Sequence, residues 1–125
     1  MELNESVDFE SVSGLAIVTL RGGENRNSLS LESIALVDKY LETAFLDDSI
    51  RALLFRSAGS AFCSGMDLAS LVRTLPVDVA ILKSSIGSFA RLLSKIQYGP
   101  KPVVAAVTGD LLAGGVGLAG ACDII

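Results

Sequence analysis

An α/β fold is predicted for this chain by three features. Short apolar runs rich in β-branched residues alternate with longer segments of helical spacing, the pattern of sheet strands covered by helices. A unit of apolar strand, glycine turn, glycine-containing loop and helix occurs twice, over residues 51–71 and 101–121. The length, 125 residues, suits one small domain and is too short for two.

Taken in order, Val7 and Phe9 alternate with polar neighbours and start a first strand. Gly14 separates it from the apolar run 15–20, and the two pair as a hairpin. Gly22, Gly23 and Asn25 mark a loop. Ser30 caps a helix reaching about Asp47, with Ile34, Val37, Leu41, Ala44 and Phe45 on one face. Residues 52–55 form a buried strand and 59–65 a loop. Asp67 opens a second helix, where a carboxylate suits the positive end of the dipole, and Pro76 breaks it. A third helix begins at Asp78, with Val79, Leu82, Ile86, Phe89, Leu93 and Ile96 on one apolar face, and ends at Gly99-Pro100. Residues 103–107 are a buried strand, and Gly109 leads through a glycine-rich stretch into a last helix near Gly115. Asp123-Ile124-Ile125 opens a further strand, so the chain reads as a partial one that stops inside a strand.

Half the residues are apolar, mean hydropathy is +0.56, and only 19% are charged. That apolar surplus needs covering, either by more chain or by other subunits. The net charge is −4 and the ten Lys and Arg are scattered, which gives no basic stripe for nucleic acid and no polybasic patch for a membrane. Residues 102–125 carry only Asp110 and Asp123 as charges, but five glycines interrupt them, so a buried strand and helix is expected there and not a membrane span. With no signal peptide, a cytoplasmic location is expected, and Cys63 and Cys122 are read as free buried thiols. Histidine is absent, which excludes a Ser-His or Cys-His nucleophile within this chain and most zinc sites; no metal site is expected. Acid–base work would fall to carboxylates, lysine, tyrosine or water.

Each repeated unit delivers small residues to a helix N-terminus: Ser64-Gly65-Met66-Asp67 in the first, Ala113-Gly114-Gly115-Val116 in the second. Backbone N–H groups there lack helical partners and point out along a positive dipole end. Two converging on one point would hold an oxyanion. Spacing alone fits two ordinary strand-to-helix turns better. The run from Gly115 to Gly120 also matches Gly-x-Gly-x-x-Gly. However, residues 109–114 separate it from its strand, and the required acidic position falls past residue 125, so it reads as coincidence.

The stretch Ser60-Ala61-Phe62-Cys63-Ser64-Gly65-Met66-Asp67-Leu68 resembles the signature of the enoyl-CoA hydratase/isomerase (crotonase) family. Asn27-Ser28-Leu29-Ser30, Lys101-Pro102-Val103-Val104-Ala105-Ala106-Val107, Ala113-Gly114-Gly115-Val116-Gly117-Leu118-Ala119 and Cys122-Asp123-Ile124 match further blocks, in family order, over nearly the whole chain. The resemblance implies a repeated ββα superhelix of which residues 1–125 are the N-terminal part. It implies a homo-oligomer, trimeric or hexameric, that acts on acyl-CoA, with coenzyme A as part of the substrate and no separate cofactor. It places the oxyanion-hole N–H groups on Met66 and Gly114. The loop with Arg26 and Ser28, together with the backbone of Ser64, Gly65, Asp67 and Leu68, would hold the coenzyme's adenosine and pantetheine. Arg26 would meet a phosphate or stand as a solvated surface charge.

The departures matter as much. Family hydratases carry a glutamate three residues beyond the second oxyanion glycine; here that position is Gly117, and a second glutamate would lie past Ile125. Methylglutaconyl-CoA hydratases and the dehydratases that install β-branches on polyketide carrier proteins are the nearest look-alikes. An enoyl-CoA hydratase or dehydratase is the leading expectation, with single-glutamate isomerases and a carrier-protein substrate as alternatives. A non-catalytic thioester-binding subunit is the alternative of another class. Arg21-Gly22-Gly23-Glu24 replaces the usual Asn-Arg-Pro-Glu of the adenine loop. Asp110 is a candidate base, with a surface aspartate as its default reading, and Asp67 fits a helix cap better than a chemical role.

Overall fold

The computed structural model describes residues 6–22, 26–67 and 78–125. Strands β1 (Val7–Val12) and β2 (Leu15–Leu20) form an antiparallel hairpin in register Val7↔Leu20 to Val12↔Leu15. Its two-residue turn, Ser13 and Gly14, has φ of 51° and 87°, the mirror-type turn whose twist matches that of the strands. Strand β2 then pairs in parallel with β3 (Ala52–Ser57), and β3 in parallel with β5 (Val103–Ala105). Parallel neighbours need long crossovers. Helix α1 (Leu31–Leu46) lies in the first crossover and α2 (Val79–Tyr98) in the second. The sheet order is β1-β2-β3-β5. The expected α/β class holds, as do the hairpin and both crossover helices.

The caps are where the sequence places them. Ser30 Oγ accepts from the Ser33 N–H at 3.1 Å, and the Asp78 carboxylate accepts from Ala80 N–H at 2.9 Å. The C-terminal end of α1 is closed by a distant residue: Lys101 Nζ donates to the carbonyls of Ala44 and Asp47 at 2.6 and 2.7 Å. A cation there also suits the negative end of the dipole. Helix α1 buries Ile34, Val37, Leu41 and Ala44 as expected, with Phe45 half-buried at the edge.

Helix α2 covers part of its expected face, with Phe89 and Ile96 buried and Leu93 packed half-buried against the core. Its buried residues are Ser85, Phe89, Leu92 and Ile96, while Val79 and Ile86 are 60% and 51% exposed. Phe89 and Ile96 belong to both stripes; the contacts with α1 and with the last helix, α3 (Gly114–Ala121), select between the rest. Ser85 tolerates burial because its hydroxyl donates to the Ile81 carbonyl at 2.7 Å.

Two short strands lie where loops were expected. β4 (Ala61–Cys63) falls within 59–65, and β6 (Asp110–Leu111) follows Gly109; they pair in parallel as a second sheet. Runs of three and two residues are too short to carry a period, so only the partner strand reveals them. The strand expected over 103–107 stops at Ala105. The strand expected at Asp123 appears as a parallel bridge between Val104 and Ile124, with Ala105 N–H donating to the Ile124 carbonyl at 2.9 Å. Gly23, Asn25, the helix expected after Asp67 and its break at Pro76 lie outside the described residues. Among the described residues no helix is long and apolar enough to cross a membrane.

Candidate active site

The second sheet exists to bring two loops together. β4 and β6 run side by side, and each feeds directly into one of the two segments singled out in the sequence. Leu112 N–H donates to the Cys63 carbonyl at 3.1 Å, extending the pairing to the edge of both loops. Beyond it the backbones touch. A Cβ on Gly65, which has φ +93°, would lie 2.7 Å from Gly114 N and 3.2 Å from its Cα. On Gly114, a Cβ would lie 3.3 Å from the Gly65 Cα and 3.1 Å from Cε1 of the buried Phe89. Gly115 is pressed onto the Cys63 carbonyl, where a Cβ has no room. Glycine is required at these positions by close approach of main chain to main chain.

The hydrogen bonds around this junction leave two donors open. Met66 bridges Leu29 in parallel fashion: Leu29 N–H donates to the Gly65 carbonyl at 2.7 Å and Asp67 N–H to the Leu29 carbonyl at 2.8 Å. Since 65 and 67 make those bonds, the N–H of Met66 is directed to the other side of its segment. At the start of α3, Gly115 N–H donates to the Leu112 carbonyl at 2.8 Å and Val116 N–H to the Ala113 carbonyl at 3.1 Å. Among the described residues neither Met66 N–H nor Gly114 N–H meets an acceptor. Ala113 precedes α3 with φ 49° and ψ −124° and supplies no side-chain cap. An alanine held there costs about 1–3 kcal/mol and persists only where its surroundings over-determine it.

The remaining predicted residues are spread over several places. Met66 and Asp67 line a cavity of about 220 Å³ with Leu29, Ser30, Glu32 and Ser85. Ser28 lines a separate cavity of about 80 Å³ with Asn27, Leu29, Ser30 and Ser33. Ser64 is half-buried beside Gly65, and Leu68 lies outside the described residues. Arg26 forms an ion pair with the Asp110 carboxylate, both side chains more than half exposed. Arg26 was read as a phosphate contact or a solvated charge, and Asp110 as a candidate base or a surface aspartate; the fold makes them partners across 84 positions of sequence. The Gly115-to-Gly120 match to a dinucleotide motif lies inside α3, one residue past its start.

Asn27 was missed as an organiser of the site. It is 2% exposed with φ 57°, and its Nδ2 donates to the carbonyls of Ala61 at 2.7 Å and Ala58 at 3.2 Å. It thereby ties the Arg26–Ser28 loop to the start of β4. The available signal was an asparagine after a glycine-rich loop, the side chain that best tolerates left-handed backbone.

Both cysteines are buried and free, as expected. Burial pushes the Cys122 thiol up to about 11, with the neighbouring Asp123 charge adding to it. Burial also raises Cys63, opposed by the Gly65 N–H that points at its sulfur from 3.4 Å. Above the ordinary value of 9.0 the unfolded chain loses these protons while the folded chain keeps them. Stability is therefore full below pH 9 and falls as pH rises toward 11. Denaturant melts between pH 8.5 and 11 should show this decline, and Cys122→Ala should flatten it; equal slopes would show that Cys122 does not titrate this way.

Known proteins resemble this chain in sequence and in fold. The family model for enoyl-CoA hydratase/isomerase matches residues 10–125. A Thermus thermophilus protein named "Putative enoyl-CoA hydratase" is 38% identical over 111 residues, 89% of this chain and 44% of the relative. The human mitochondrial methylglutaconyl-CoA hydratase is 30% identical over 112 residues, 89% of this chain and 32% of the relative. An enoyl-CoA hydratase/isomerase structure from Xanthobacter autotrophicus Py2 superposes with TM-score 0.88 at 32% identity, over 94% of this chain and 44% of that one. The chain thus spans less than half the length of each of these three proteins, and its fold is that of the N-terminal half of a crotonase-type domain. It belongs to the enoyl-CoA hydratase/isomerase family.

Proposed function

We propose that this chain binds an acyl-CoA thioester and stabilises its enolate between the N–H groups of Met66 and Gly114, in an enoyl-CoA hydration or dehydration. The observation that carries the reading is the contact of Gly65 with Gly114, which draws together two segments that each hold a donor without an acceptor among the described residues. A thioester oxygen seated there gains negative charge as the α-carbon takes on carbanion character, whether water adds to the β-carbon or leaves it. The donors are main-chain groups fixed in place, so they need no reorganisation as that charge develops. Arg26 and Ser28, with Ser64, Gly65, Asp67 and Leu68, are the proposed surface for coenzyme A, which is part of the substrate and not a resident cofactor. The proposed setting is a cytoplasmic homo-oligomer of three or six subunits.

Acid–base chemistry needs a group that α3 does not supply, since its eight residues hold no ionisable side chain. The isomerase alternative and the carrier-protein-linked dehydratase share the same enolate and differ only in proton delivery and in what bears the thioester. One observation favours a second reading, that of a thioester-binding subunit without turnover: Gly117 stands where family hydratases carry glutamate. The test uses the intact protein with crotonyl-CoA, following loss of conjugated-thioester absorbance and, separately, heat of binding. Turnover upholds the enzyme reading. Binding without turnover upholds the second, and absence of binding overturns both.

A further inference from the structure

The cavity that Met66 shares with the start of α1 lies next to the junction of the two loops. Met66 itself forms part of its wall. On α2 the wall is Ser85, and four residues further along Phe89 stands beside Gly114, its Cε1 3.1 Å from where a Cβ there would lie. Four residues are about one turn, or about 6 Å along the helix. The volume is about 220 Å³. A water takes about 30 Å³ of liquid volume and a methylene is of similar size, so the space suits a chain of roughly four to seven carbons.

The chemistry of the wall is one-sided. Leu29, Leu31 and Met66 supply apolar surface, Glu32 and Asp67 supply carboxylates, and none of the described residues lining the cavity is Lys or Arg. The hydroxyls are engaged elsewhere. Ser85 Oγ donates to the Ile81 carbonyl at 2.7 Å, and Ser30 Oγ accepts the Ser33 N–H at 3.1 Å and lies 3.0 Å from the Ser33 Oγ. The N-terminal end of α1 would ordinarily favour an anion, but Glu32 already puts a carboxylate in that first turn. An acyl group ending in its own carboxylate would therefore meet like charge with no cation to pair with, an arrangement that disfavours binding.

We infer that this cavity takes the acyl chain of the substrate and that Glu32 makes it selective for short uncharged acyl groups over those ending in a carboxylate. The inference rests on the reading of Met66 and Gly114 as thioester donors. Selectivity of this kind comes from a repulsive element as much as from fit. Glu32 can be replaced without touching the donors, because it lies on α1 while they lie on the segments after β4 and β6.

Calorimetric titration of the intact protein with two saturated thioesters tests this. Pentanoyl-CoA and glutaryl-CoA have acyl chains of equal carbon number, and glutaryl-CoA carries a carboxylate in place of the terminal methyl. The wild type should bind pentanoyl-CoA about tenfold more tightly, or more. Glu32→Gln should shrink that ratio about fivefold, and Glu32→Lys should reverse the preference, with circular dichroism checking the fold of each. Should one variant fail to fold, the other decides. Equal affinities in the wild type overturn the inference while leaving the thioester site standing, as does a ratio unmoved in a folded variant. If neither thioester binds, the reading of the site falls and the inference with it.

Discussion

Gly114→Pro lowers thioester turnover about 100- to 1,000-fold relative to Gly114→Ala, the range for loss of one oxyanion-hole donor. The pair of variants isolates the N–H. Both introduce a Cβ that meets Phe89 Cε1 at 3.1 Å and the Gly65 Cα at 3.3 Å, so the packing penalty is shared. Only proline deletes the donor. Proline is otherwise well placed there, because Gly114 opens α3 and the first helical N–H has no intrahelical partner to lose. Steady-state kinetics with circular dichroism of both variants checks this. Equal kcat in two folded proteins would remove Gly114 N–H from the mechanism and with it the central part of the functional proposal.

Gly109→Ala destabilises the fold by roughly 3 kcal/mol, through a left-handed backbone closed to alanine and an overpacked contact. Gly109 has φ +84°, and a Cβ there runs into the Ser60 carbonyl and towards the Ala61 Cα at 3.3 Å. Main chain cannot swing aside as a flexible side chain can. The location gives the effect a functional edge, because Ser60 enters β4 and Gly109 enters β6. Forcing them apart separates the two strands that carry Met66 and Gly114. Gly120→Ala is the matched control, since nothing lies within 4 Å of its Cβ position. Sitting inside α3, it should gain about 0.5–1 kcal/mol from helix propensity. Denaturant midpoints for the two variants should move in opposite directions; a neutral Gly109→Ala would mean the β4–β6 junction can shift without cost.

The legible parts of this protein are those governed by local rules. Ser30 and Asp78 cap helices because their side chains reach N–H groups two or three residues ahead. Ser13-Gly14 makes a hairpin turn because both residues adopt positive φ. The family motifs also pointed to Met66 and Gly114 as paired positions, although spacing alone was satisfied by two ordinary turns. What remained hidden needed a partner far along the chain. The buried stripe of α2 was only partly placed: Phe89, Leu93 and Ile96 pack on the core, but Val79 and Ile86 of the same row are exposed, because amphipathic period alone does not set how far the covered face extends. Asn27 looked like a loop residue until its amide met the carbonyls of Ala58 and Ala61.

The sequence by itself determined the α/β class, the caps and turns, the family, and which short segments could carry chemistry, because each depends on residues within a few positions of one another. The tertiary structure decided that these segments meet. Two-residue β6 is a strand only beside β4, Arg26 and Asp110 are a pair only across the folded loop, and Gly65 reads as a contact residue only against Gly114. Hydrogen bonds and van der Waals contacts act over a few ångströms, so juxtaposition of groups tens of residues apart is set by the packing of the whole sheet and its helices.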